Sequence, residues 1–219
     1  MNTISLDKAK KIKLMSRVEK KYVCTEEDLI KIMQNMPDNY DIVSNNCITS
    51  LKYSSTYFDS DSLVMWNAHD TDEKHRQKIR VREYFTGEKF LEIKDKNKET
   101  GLTKKTRIPV ESYKINDEIN WISKNLIYDT ADLQKTLTIT YYRITLINQD
   151  KLERVTIDKK ISFTNHKTGI TKHIDDVVIE IKQIENHESS FEQELIKENI
   201  QQQKFSKYYK GILMTRGDV

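Results

Sequence analysis

Basic residues two positions apart recur along this chain in short runs that also hold Ile, Val and Tyr. In Lys78-Ile79-Arg80-Val81-Arg82-Glu83-Tyr84, an extended strand would put Lys78, Arg80, Arg82 and Tyr84 on one face and Ile79 and Val81 on the other. Glu92 and Lys94 alternate with Leu91 and Ile93, and Lys105 and Arg107 with Thr106 and Ile108. Tyr141 and Arg143 share a face, as do Arg154, Thr156 and Asp158, and Glu180 and Lys182 lie opposite Ile179 and Ile181. Besides Lys78, the charged faces hold eight basic side chains (Arg80, Arg82, Lys94, Lys105, Arg107, Arg143, Arg154, Lys182) beside three acidic ones (Glu92, Asp158, Glu180). The bland alternative is a one-sided sheet turning a polar face to water. A solvated face would mix signs as the whole chain does, with 37 basic against 34 acidic residues, and these faces do not. Such a field repels itself unless an anion sits in it.

Arg forks and Lys point charges together suit phosphate. No Gly-rich P-loop or dinucleotide turn is present, so the phosphates are not expected at a helix N-terminus. Nucleic acid is disfavoured, because a net charge of +3 lacks the basic balance of its usual binders. A slender polyanion enclosed by strands is the better match.

Positioning these side chains requires strands. The alternation predicts them at roughly 17–23, 51–59, 77–86, 89–96, 102–109, 136–147, 152–160 and 176–184, several joined by short turns such as Thr86-Gly87 and Asn148-Gln149-Asp150. Eight strands of this length can close into a barrel, which removes exposed edges. Thr25-Glu26-Glu27-Asp28 is a capping box ahead of Leu29, Ile30, Ile32 and Met33, and Pro37 bounds that helix. Further helices are expected at about 110–125 and 189–201, the latter starting from Ser189 or Ser190 and laying Phe191, Leu195 and Ile196 against the sheet. The fold class is therefore mainly β with flanking helices (α+β). Residues 1–219 are expected to form a single domain, with 1–15 a helical or flexible extension. Cys24 and Cys47 show neither metal-ligand spacing nor a disulfide framework, which suits a reducing cytosol. No apolar run approaches the roughly 18–20 residues that cross a bilayer, and the basic start has no apolar signal region, so a soluble cytoplasmic protein is expected.

Arg17-Val18-Glu19-Lys20-Lys21-Tyr22, Ser55-Thr56-Tyr57-Phe58-Asp59, Arg80-Val81-Arg82-Glu83-Tyr84, Glu92-Ile93-Lys94, Lys105-Thr106-Arg107, Tyr141-Tyr142-Arg143, Arg154-Val155-Thr156-Ile157-Asp158, Glu180-Ile181-Lys182 and Lys204-Phe205-Ser206-Lys207-Tyr208 follow one another in an order that resembles the VTC domain, a family of the triphosphate tunnel metalloenzymes. The resemblance spans about residues 16–210 and rests on the order of nine pieces, each weak alone. It implies an eight-stranded antiparallel β-barrel tunnel and an ATP-dependent polyphosphate polymerase, which moves the γ-phosphate of ATP onto a growing inorganic polyphosphate chain and releases ADP. Arg80, Arg82, Lys94, Arg143, Arg154 and Glu180 would be catalytic, and Lys21, Lys105, Arg107, Lys182, Lys204, Ser206 and Lys207 would bind substrate. Glu180 would hold Mn²⁺ or Mg²⁺, with Glu19 or Glu92 behind it. Pyrophosphate or orthophosphate would prime the chain, and a separate membrane protein would accept the product at the inner face of the membrane. Hydrolytic branches open with ExExK on the first strand; here Arg17 makes the pattern RxExK, which favours chain extension. A tunnel-type (tri)polyphosphate or nucleoside-triphosphate phosphohydrolase and a non-catalytic polyphosphate-binding module are the alternatives.

Overall fold

Each of the eight alternating runs is a strand in the computed structural model, which describes residues 2–11, 17–150, 152–184 and 188–217. Along the chain come β1 (Asn2–Ser5), α1 (Leu6–Lys11), β2 (Arg17–Cys24), α2 (Glu26–Gln34), β3 (Asp41–Ser44), β4 (Leu51–Asp59), α3 (Val64–Asp70), β5 (His75–Tyr84), β6 (Lys89–Asn97) and β7 (Thr103–Val110). After a 3-10 turn at Ile115–Glu118 follow α4 (Ile119–Asn125), β8 (Gln134–Asn148), β9 (Glu153–Asn165), β10 (Thr171–Ile174), β11 (Val177–Ile184), α5 (Ser190–Lys197) and α6 (Lys207–Thr215). The mainly β, antiparallel architecture with flanking helices is thus present.

Two compact units make up the chain, and β8 and β9 each contribute residues to both. The first comprises residues 1–52, 141–161 and 174–205. Its strands run in the order β2-β11-β9-β8, with β3 on β8 and the short β1 parallel to β3. One face of this sheet carries Tyr22, Val155, Ile157, Ile179 and Ile181, which pack against Leu29 and Ile32 of α2 and Phe191 and Leu195 of α5. The second unit comprises residues 53–140, 162–173 and 206–219, with the order β8-β4-β5-β6-β7. There Phe58, Ile79, Val81, Leu91 and Ile93 pack beneath Ile115, Ile122 and Leu126 of the 3-10 turn and α4. Fully burying each such aliphatic or aromatic side chain is worth about 1.5–3 kcal/mol. In both units the helices take the apolar face, so alternation consigns the charged residues to the other.

The helix ends follow local chemistry. Thr25 and Asp28 form the expected capping box, and α2 stops at Asn35, before the backbone that Pro37 restricts. The helix expected over 110–125 starts only at Ile115, because the Lys114 amide donates to Ser112 Oγ in a turn after β7. That expected over 189–201 ends at Lys197, and of its three expected inward residues Ile196 is instead exposed, lying off the stripe of Phe191 and Leu195. Asn199 adopts a left-handed φ of 58°, and the Ile200 amide reaches back to the Leu195 carbonyl, as in a Schellman stop. Of the expected N-terminal extension, residues 2–11 form β1 and α1, whose Ile4 and Ala9 pack on Val43 and Ile147. Among the described residues no helix is long and apolar enough to cross a membrane.

Candidate functional site

The charged face of the second unit is set by strand register. Lys78, Lys94 and Lys105 occupy neighbouring positions across β5, β6 and β7, and Arg80, Glu92 and Arg107 form the next row. With Arg82, and with Arg76 and Lys96 in the row beyond Lys78 and Lys94, this face of β5–β7 holds eight cations, and Glu92 is its one carboxylate. Glu92 is 1% exposed. Arg80 donates to it through Nε at 3.0 Å and Nη2 at 2.7 Å, and Lys105 Nζ donates to its other oxygen at 3.0 Å. Burial alone would raise the Glu92 carboxyl, but Arg80, Arg82 and Lys105 hold it well below the usual carboxylate range. Desolvation lowers the Lys105 amine, with Glu92 opposing.

The third Arg80 contact goes to Tyr57, whose hydroxyl accepts from Nη1 at 2.8 Å. Arg82 Nε donates to Ser55 Oγ at 3.3 Å. Arg107 lies over the Phe90 ring at 4.6 Å and reaches the Tyr84 hydroxyl at 3.4 Å. Lys94 is exposed.

Helix α6 brings the C-terminal motif to this face. Ser206 caps it, accepting from the Tyr209 amide at 3.3 Å, and receives a hydrogen bond from Lys78 Nζ at 2.8 Å. Lys207 is the first helical residue. The helix is fixed by Tyr208, whose ring stacks on Tyr57 (centroids 4.7 Å, 16° between planes) and whose hydroxyl donates to buried Asp59 at 2.7 Å. Asp59 also accepts from the Met65 and Trp66 amides at 3.0 Å each, capping α3 from the end of β4. Gly211 permits the close approach, since a Cβ there would lie 2.5 Å from Leu137 Cδ2 and 2.6 Å from Phe163 Cδ1.

In the first unit the charged face is organised around two carboxylates. Glu180 pairs with Lys182 and, at 3.9 Å, with Lys21, its register partner on β2. Lys21 is also 3.3 Å from Glu19 and donates to the Phe205 carbonyl at 3.1 Å. Burial would raise the Glu180 carboxyl, but Lys182, Lys21 and Arg143 keep it well below its ordinary value. Arg143 grips buried Asp158 through Nε at 2.5 Å and Nη2 at 2.7 Å and lies 5.3 Å over the Tyr141 ring. Burial alone would lower the Arg143 guanidinium, yet Asp158 above all raises it well beyond its usual range, fixing it as a cation. Arg154 donates to the Ala9 carbonyl at 3.0 Å, and Lys204 is exposed between α5 and α6.

Of the expected site residues, the second unit therefore holds Arg80, Arg82, Lys94, Lys105, Arg107, Ser206 and Lys207, and the first holds Lys21, Arg143, Arg154, Glu180, Lys182 and Lys204. Tyr57, Ser55 and Lys78 join the second face without having been singled out as site residues. Lys78 carried a signal in its parity with Arg80, and Ser55 and Tyr57 lay in one of the nine motif pieces, which by itself gave them no assigned role. Among the described residues no three His, Cys, Asp or Glu side chains gather to hold a metal ion. Glu180, kept ionised by its neighbours, is the carboxylate that fits a cation which takes one or two carboxylates and completes its shell with phosphate oxygens and water, with Glu19 nearby across Lys21.

The helices cover the apolar faces of the sheet, and in the second unit the opposite face is rich in basic side chains. The fold is shared with a candidate adenylate cyclase from Bacillus halodurans, at a TM-score of 0.53 and 15% identity, covering 90% of this chain and 98% of that one. Two further solved structures, of a hypothetical protein and of an inorganic triphosphatase, match at TM-scores of 0.29 and 0.30 and 12% identity. They cover 78% and 79% of this chain, and 78% and 77% of theirs. No curated protein matches the sequence. The model of the VTC domain family matches residues 16–216, and the chain belongs to that family.

Proposed function

We propose that this chain is a polyphosphate polymerase that transfers the γ-phosphate of ATP to the end of an inorganic polyphosphate chain. The observation that carries the proposal is the eight-to-one excess of cations over carboxylates on the β5–β7 face, a repulsion that a bound polyanion would relieve. Membership of the VTC domain family supports the same reading.

Phosphoryl transfer asks little covalent chemistry of a protein; it asks for alignment and for charge on the equatorial oxygens. Glu92 and Tyr57 hold the Arg80 guanidinium in place, so its charge is oriented before substrate arrives. Arg82, Lys105 and Lys207 add charge, and Lys78 with Ser206 adds a donor pair at the start of α6. In the first unit, Lys21, Lys182 and Arg143 offer cations beside the ionised Glu180. Glu180 with Glu19 would hold Mn²⁺ or Mg²⁺, which supplies further neutralisation of phosphate charge when bound. The acceptor phosphate is already ionised, so the site needs no strong general base.

The test is a product gel after incubation with ATP, Mn²⁺ and pyrophosphate. A ladder of lengthening chains is the expected result. ADP and orthophosphate alone would reassign the chain to hydrolysis, and binding without turnover, indifferent to Glu180→Ala, would reduce it to a polyphosphate-binding module.

A further inference from the structure

Strand β4 adds two uncharged groups to the basic face of the second unit. Tyr57 stands opposite Arg80 and Ser55 opposite Arg82 in the β4–β5 register. Both are buried, at 7% and 1% exposure. An arginine side chain has only donors, so the bonds from Arg80 Nη1 at 2.8 Å and Arg82 Nε at 3.3 Å use Tyr57 Oη and Ser55 Oγ as acceptors. Each hydroxyl keeps its own proton to donate. Among the described residues, neither hydroxyl has a protein acceptor.

A buried donor normally finds an acceptor. The surroundings of Tyr57 say which kind. Burial would raise its phenol, yet Arg80, Arg82 and Lys207 together bring it below its ordinary value. A hydroxyl polarised by three cations donates best to an anionic oxygen. Its ring cannot swing away, because Tyr208 stacks against it and is itself tied to Asp59.

We infer that Tyr57 and Ser55 are substrate-contacting residues whose hydroxyls donate to oxygens of the phosphate group that Arg80 and Arg82 hold. The inference rests on the phosphate-binding reading of this face. The arginines supply charge, and the two hydroxyls supply neutral donors locked at fixed spacing by the register. Their contribution is to geometry, and it does not depend on ionic strength.

The experiment is calorimetric titration of the full chain with tripolyphosphate, for wild type, Tyr57→Phe and Ser55→Ala, at low and high KCl. Loss of a hydrogen bond to a charged group predicts binding weaker by roughly ten- to a hundredfold for Tyr57→Phe. The salt dependence should stay that of wild type, because no charge is removed. Variants that bind within twofold of wild type would overturn the inference while leaving the phosphate site standing. A wild type that binds no tripolyphosphate would remove both. Should Tyr57→Phe fail to fold, 3-fluorotyrosine placed at position 57 answers instead. Its fluorine resonance is expected to move with tripolyphosphate and not with KCl, and an unmoved resonance refutes the contact.

Discussion

Replacing Glu92 with Gln tests whether the basic face is held together by one buried carboxylate. Glu92 is 1% exposed and receives three hydrogen bonds from Arg80 and Lys105. Breaking a buried pair by removing one partner typically costs about 3–5 kcal/mol, because the orphaned charge stays where it is. Arg80 is 19% exposed and Lys105 40%, so solvent relieves part of that cost, and about 2–3 kcal/mol is the expected loss. For a chain of this size that lowers the melting temperature by about 5–10 °C. The sign of its pH dependence follows from the lowered Glu92 carboxyl. The unfolded chain, titrating near 4.3, binds the proton more readily than the native one. The stabilisation is therefore complete above that value and is lost as pH falls through the lower native value. Wild type and Glu92→Gln should differ fully at pH 6–8 and converge in strong acid. Tripolyphosphate should raise the melting temperature of Glu92→Gln more than that of wild type, since it brings back the missing negative charge. Scanning calorimetry across pH, with and without tripolyphosphate, measures all three. A Glu92→Gln variant as stable as wild type at pH 7 would refute the reasoning, for it would mean that Arg80 and Lys105 are simply hydrated.

Glu180→Ala should lower ATP turnover by about a hundredfold and raise the Mn²⁺ concentration needed for half-maximal rate, both read from initial rates. Unchanged turnover with only a lower melting temperature would leave Glu180 as a plain ion-pair partner of Lys182 and Lys21. Gly211→Ala should destabilise by about 1–3 kcal/mol, because the new methyl meets Leu137 and Phe163, both fully buried; chemical denaturation is the check. Thr25→Ala removes the capping box of α2 and should cost about 1 kcal/mol, without changing tripolyphosphate affinity.

Strands were legible because a sheet with one buried face writes a period of two, and Lys78–Tyr84 or Val178–Lys182 show it plainly. The charged faces were legible for the same reason, since parity alone assigns Arg80 and Glu180. Helix α3 was not. Its N-cap, Leu63, has a left-handed φ of 56° and no side-chain cap, and the capping carboxylate comes from Asp59 at the end of β4. A cap borrowed across a loop leaves no local pattern. Helix α6 hides behind Gly211, an unfavourable helix residue kept there by packing against Leu137 and Phe163. Tyr57 could be singled out as part of a motif, but its pairing with Arg80 could not, because partners across a ladder are not a local property of sequence.

The docking of α6 through Tyr208 also orders events in time. Strands β4 to β7 are complete by Val110, whereas Ser206, Lys207 and Tyr208 are made about a hundred residues later. At typical synthesis rates of about 5–20 residues per second, that is a lag of roughly 5–20 s. Throughout it, Tyr57 lacks the ring that clamps it and Lys78 lacks its hydroxyl partner. A nascent chain that has left the ribosome only as far as β7 therefore carries the cations without the piece that finishes their arrangement. The arrangement of these side chains is therefore finished only when α6 is added, as a late and separate step.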